Sequence, residues 1–270
     1  MNAAAWRAGA LACLLAAQLA GQAKATAHGV LLEDLTWPEA EKILTPNTVV
    51  VIALGAEAKE HGPHLKLKND FLMAEYLKRR VIEKSDVVVA PTLNYSFYPA
   101  FVEYPGSTSL RLETARDTVI DICRTLARFG PKRFYVINTG ISTLQALAPA
   151  AETLKADGIL LRYTNLNVTE PVEKTIRKQP FGSHADEIET SMMLYIAPES
   201  VDMSKAVRDV HPDGGRPLTR DPNARGTYSP TGVWGDATLA TREKGRIVTE
   251  ALVSAILDDI EKLRRAPLPR

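Results

Sequence analysis

Two of the five histidines in the chain, His61 and His64, stand three residues apart in a stretch that also carries Glu57, Glu60 and Asp70. Carboxylates and imidazoles together are the donor set of Zn²⁺ and Mn²⁺ hydrolase sites. A divalent ion held by such a set lowers the pKa of its water towards neutrality and polarises a carbonyl. The same residue types also build metal-free loops, in which the rings serve only as hydrogen-bond partners. Gly62-Pro63 lies between the histidines and sets a tight turn, so the rings aim differently and need not both be ligands. His28 and His211 lie in polar segments and are expected to be solvated.

The elements around this loop must position it. Thr48–Leu54, just before it, is a continuous apolar run without alternation, the pattern of a strand covered on both faces. Asp70 is placed to cap a helix expected over Phe71–Ile82, with Leu72, Tyr76 and Leu77 on one stripe. Further strands are expected over Asp86–Leu93, Arg133–Asn138 and Ile159–Leu166. Helices are expected over Asp34–Leu44, Thr114–Phe129, Thr143–Asp157, Asp186–Ile196 and Arg242–Leu263. Strands alternate with helices, which makes the class α/β, a layered sandwich with a mostly parallel central sheet. In such sheets sites gather beyond the strand C-termini, where the loop after Leu54 lies. Residues 94–113, NYSFYPAFVEYPGSTSLRLE, form a long aromatic-rich loop of the kind that carries function. Residues 167–182 show no strong pattern, and residues 202–232, rich in Pro, Gly, Asp and Arg, read as a long surface loop. No GxGxxG, P-loop or internal repeat occurs, and no domain boundary falls inside 30–265.

The chain has 270 residues, 45% hydrophobic and 24% charged, which suits one globular domain with a sizeable core. Residues 1–25 read as a secretory signal peptide. Met1–Arg7 carries one positive charge, Ala8–Ala20 is apolar but short of a membrane span, and Ala23-Lys24-Ala25 is a small-x-small cleavage site before Thr26. The mature domain is then 26–270, periplasmic or secreted, with no membrane association after cleavage. Cleavage removes Arg7 and Lys24 and no acid, taking the net charge from +1 to −1. No long block of one sign remains to suggest nucleic acid as a partner. Cys13 leaves with the signal, so Cys123 stands alone and no intrachain disulfide can form.

His61-Gly62-Pro63-His64-Leu65, with Asp70 nine positions after His61, resembles the signature of the creatininase (creatinine amidohydrolase) family. The resemblance continues in order through Tyr104–Leu110 (the family's F-P-G-T-x-S-L), Asn138–Thr143 (N-G-H-x-x-N), His184–Met192 (H-A-G-x-x-E-T-S-x) and Gly232–Ala237 with Gly245-Arg246 (G-V-x-G-D-P…G-R). It implies an α/β hydrolase of C–N bonds in small cyclic or linear amides, with metal ions and a homo-oligomeric assembly. Two departures stand out. The family's glutamate ligand two residues before the first histidine is Lys59 here, and the Gly55-to-His61 spacing is one residue longer, so Glu60, or else Glu57, takes that place. Lys59 is then expected to point away or to hold a substrate carboxylate. In the turn at 138–143, the family's His and Glu ligand positions are Gly140 and Ser142. The remaining expected metal ligands are Glu60, His61 and Asp70, enough for one Zn²⁺ or Mn²⁺ rather than two. His184 is the expected proton donor to the leaving nitrogen, Glu189 orients a ligand or accepts a proton, and His64 is expected to orient Asp70. The competing expectation is a non-catalytic member that binds a small polar ligand or serves as a structural subunit.

Overall fold

The computed structural model describes residues 28–212 and 217–269; the expected signal segment and its cleavage site lie outside them. Five parallel strands form the central sheet: β1 (Val30–Leu31), β2 (Val49–Leu54), β3 (Val88–Leu93), β4 (Arg133–Asn138) and β5 (Leu160–Tyr163). Their order is β1-β3-β2-β4-β5. The chain leaves β2 towards β3 on one side, then crosses back to β4 on the other. The C-terminal ends of β2 and β4 therefore flank a point where the winding reverses, the place where open α/β sheets form a crevice.

Side chains alternate along each strand and feed two cores. Val49, Val51, Val87, Val89, Tyr135 and Ile137 pack with α2 (Asn69–Lys84), α6 (Glu187–Ile196) and α7 (Arg242–Arg265). Val50, Ile52, Leu54, Val88, Phe134 and Val136 pack with α3 (Leu112–Ala127) and α4 (Leu144–Ala156) on the opposite face. All six residues of β2 are buried, as its unbroken apolar run requires. Two short helices complete the set, α1 (Trp37–Ile43), closed by a Thr36/Glu39 capping box, and α5 (Glu170–Ile176).

Three expectations change. Asp70 does not cap α2: Lys68 occupies the cap position, and Asp70 lies inside the first turn with its carboxylate turned to the site. The stretch 202–232 is not wholly a surface loop. Arg208–Asp209 pairs with Gly235–Asp236, Leu218–Thr219 pairs with Thr227–Tyr228, and Leu218 is buried beside Ala56, Tyr98, Phe101 and Tyr104. His211 is partly covered rather than solvated; its ring meets Trp234 edge-on and its Nε2 lies 2.9 Å from Asp209.

Candidate metal and active site

Four segments build the site. The loop after β2 brings Lys59, Glu60 and His61. It is fixed to the 94–111 loop by Thr108 N donating to Ala58 O (2.9 Å) and Glu60 N to Ser107 Oγ (2.8 Å). The first turn of α2 brings Asn69 and Asp70. Gly55 is needed for that approach, because a Cβ there would overlap the Asp70 carbonyl. The start of α6 brings Glu189, and the residues before it bring His184. Asp186 caps α6 by accepting from Ile188 N (2.9 Å) and Glu189 N (3.0 Å). Ala185, between His184 and Asp186, adopts φ +48°, a left-handed conformation that costs a non-glycine residue energy and turns His184 and Glu189 towards each other. The closing loop clasps His184, whose backbone exchanges hydrogen bonds with Trp234.

Both imidazoles are held in a defined protonation pattern by backbone carbonyls. A carbonyl only accepts, so His61 Nδ1–H donates to Lys59 O (2.9 Å), leaving Nε2 as the ligand atom. That Nε2 faces Asp70 Oδ1 at 2.8 Å and Glu189 Oε1 at 3.3 Å. His184 Nε2–H in turn donates to Glu60 O (3.1 Å), leaving Nδ1 facing Glu189 Oε2 at 3.8 Å. One donor atom from each of His61, His184 and Glu189 lies within 4.8 Å of the others. Two imidazole lone pairs and carboxylate oxygens converging in a buried space repel one another unless a positive charge lies between them. This donor set fits a divalent ion, with His61, His184 and Glu189 as its holders.

The titration pattern follows the same charges. Burial lowers the His61 imidazole, but the adjoining Asp70 and Glu189 carboxylates together outweigh it and raise the pKa. Burial would raise Asp70, yet the Lys59 ammonium and His61 hold it well below the usual carboxylate range. Burial likewise opposes ionisation of Glu189, and His61 and His184 overcome it and lower its pKa. His64 differs: burial pushes it down to about 4, so its ring is neutral.

The sequence-predicted residues are thus only partly gathered as expected. His61 and Asp70 meet directly, and His184 and Glu189 stand with them. Glu60 does not join the ligand atoms. Its carboxylate lies behind His184, 3.1 Å from Nε2, and takes the Gly62 amide; Gly232 at φ +77° leaves it room where any Cβ would collide. Glu57 is exposed and accepts from Asn94, away from the site. His64 does not touch Asp70 but pairs with Thr190 Oγ1 at 2.8 Å. Lys59 neither points away nor stands free for substrate. It is 5% exposed, and its Nζ lies 2.7 Å from Asp70 Oδ2.

A cavity opens beside this cluster, lined by Lys59, Phe101, Gly140, Ser142, His184 and Glu189 among others, with empty space of about 970 Å³ including its open mouth. Phe101, from the aromatic loop, stacks on His184 at 4.2 Å between ring centres. Asn69, which sequence reasoning passed over, donates to Glu189 Oε1 (3.0 Å) and orients it. The bare sequence gave no sign of that pairing, since 120 residues separate the partners.

The profile of the family Creatininase, creatinine amidohydrolase, matches residues 33–260. Creatinine amidohydrolase of Pseudomonas putida is 28% identical over 253 residues, covering 86% of this chain and 96% of its own. Among solved structures, a manganese form of creatininase superposes with a TM-score of 0.73 at 26% identity, covering 88% of this chain and 100% of that one. A zinc–zinc form of a mutant creatininase gives 0.72 at 26% identity, covering 87% and 98%. The chain therefore belongs to the creatininase family of amidohydrolases.

Proposed function

We propose that this enzyme is an exported hydrolase of a C–N bond in a small cyclic or linear amide, working with one Zn²⁺ or Mn²⁺. The observation that carries the reading is the pair of imidazoles whose outer nitrogens are tied to the Lys59 and Glu60 carbonyls, so that their free nitrogens face Glu189. His61, His184 and Glu189 hold the ion; Asp70 Oδ1, 2.8 Å from His61 Nε2, stands on the same side of the site as the ion, and Asn69 aims Glu189. When bound, such an ion acts as a Lewis acid towards a carbonyl and makes water nucleophilic near neutral pH. The adjoining cavity admits a small substrate, and Phe101 shields one face of His184 from water.

Hydrolysis also needs a proton at the departing nitrogen. His184 can serve as ligand or as proton donor through Nδ1, not both at once. We assign it the ligand role, because Nδ1 faces Glu189 while Nε2 is occupied by Glu60. Metal analysis of His184→Ala separates the two: loss of the ion supports the ligand, whereas a retained ion with lost turnover assigns the proton. The function is tested by supplying the Zn²⁺- or Mn²⁺-loaded protein with creatinine and a panel of cyclic and linear amides and following amine release. Turnover abolished by His61→Ala is expected; no turnover of any panel member with the ion bound would overturn the reading. Export and a homo-oligomeric assembly complete the proposal, supported by the N-terminal composition and by family membership. Light scattering on the purified chain tests the assembly, a monomer being the contrary result.

A further inference from the structure

Asp70 faces two cation positions. Its Oδ1 lies 2.8 Å from His61 Nε2, on the side of the proposed ion, and its Oδ2 lies 2.7 Å from Lys59 Nζ, on the other. A carboxylate that offers one oxygen to each of two positive centres is the arrangement of a bridging ligand. Here the second centre is covalently part of the chain. The ammonium is not a surface charge that strayed inward. Lys59 is 5% exposed and Asp70 fully buried, and the ammonium lies 4.9 Å from the centre of the Phe101 ring and 5.5 Å from that of Tyr98. Those ring faces are the surroundings that stabilise a desolvated cation. The backbone of the same residue also fixes the His61 tautomer through its carbonyl.

Nothing nearby invites a second divalent ion. Gly140 and Ser142 line the cavity without an imidazole or carboxylate, and among the described residues His61, His184 and Glu189 are the cluster found with metal-ligand spacing. A doubly charged ion at Asp70 Oδ2 would have to displace the ammonium or sit against it in a buried, weakly screened space. A solved relative exists in a zinc–zinc form, so the difference lies in the composition of this site, not in the fold. We propose that the Lys59 ammonium is the second cation of this centre: Asp70 bridges it to a single divalent ion, and Lys59 limits the chain to one ion. The proposal rests on the metal reading above and adds a positioning residue to it.

Titrating the metal-stripped full-length protein with Mn²⁺, by equilibrium dialysis and electron paramagnetic resonance, tests both. One Mn²⁺ per chain with an uncoupled six-line spectrum is expected. Two ions per chain, or an exchange-coupled pair, would overturn the role of Lys59 and leave the metal reading standing; no bound ion would overturn the metal reading and the proposal with it. Lys59→Glu, checked for folding by circular dichroism, is expected to take a second ion and show coupling. A folded Lys59→Glu that stays at one ion through millimolar Mn²⁺ overturns the assignment. Lys59→Met, similar in length and uncharged, is expected to bind its ion at least about tenfold more tightly, because the repelling charge is gone; an unchanged dissociation constant overturns the proposal.

Discussion

Glu60 and Glu189 have the same side chain and opposite duties. Glu189 directs its oxygens at His61 and His184, whereas Glu60 stands behind His184 and braces it. Glu189→Gln should therefore abolish tight Zn²⁺ binding, while Glu60→Gln should weaken it about 10- to 100-fold without abolishing it, the usual effect of losing a group that orients a ligand. Chelator competition measures both, and equal losses would erase the distinction. His64 supplies a stability prediction. Burial holds its folded pKa at about 4, below the 6.5 of an ordinary imidazole, so the unfolded chain binds its proton first as pH falls. Stability is full above 6.5 and is lost as pH drops towards 4, by about 2 kcal/mol between pH 7 and pH 5. Guanidinium unfolding at the two pH values should show that loss in the wild type and a smaller one in His64→Gln, which keeps a partner for Thr190. At this scale the sequence was legible where the resemblance to the family signature paired residues: His61 and Asp70, which that signature groups together, lie 2.8 Å apart. Lys59 was not legible, because lysine is rarely buried and only the three-dimensional pairing with Asp70 explains why it is.

The elements were easier to read than the residues they carry. Continuous apolar runs gave β2, β3 and β4 their positions, since a parallel strand covered on both faces has no polar side to confuse the pattern. Helix α5 escaped because its seven residues, EPVEKTI, place only Val172 and Ile176 on one face, too short a stretch for a helical period to show. The buried pairing at 218–219 and 227–228 escaped because two-residue strands leave no period to detect. What the sequence hid altogether is close approach between elements. Gly245, in the first turn of α7, lies against the backbone of Ser191 in α6, and a Cβ there would overlap the Ser191 carbonyl. Gly245→Ala must push α6 and α7 apart, at a cost of about 1–3 kcal/mol. Because α6 carries Glu189, metal affinity should fall along with the melting temperature. Calorimetry and a metal titration on the same variant check this; lower stability with undisturbed affinity would mean that the site tolerates movement of α6.

On the scale of the whole molecule, export and thiol chemistry can be tested together. The full sequence holds two cysteines, Cys13 and Cys123. Cys123 lies in the core between α3 and the sheet, fully buried, and burial pushes its thiol up to about 12. At pH 8 the thiolate fraction is then about one in ten thousand, so the folded protein should be nearly inert to thiol reagents and to an oxidising compartment. If exported as proposed, such a chain would tolerate an oxidising compartment as a disulfide-free fold, held by its two cores rather than by cross-links. If residues 1–25 are removed on export, Cys13 goes with them. Protein recovered from the periplasmic or secreted fraction should begin at Thr26. It should titrate one thiol per chain in guanidinium and almost none when native. Two thiols per chain in denatured exported material, or an intact Met1 terminus, would overturn cleavage. A fast-reacting native thiol would instead mean that the α3 side of the core opens far more readily than its packing implies.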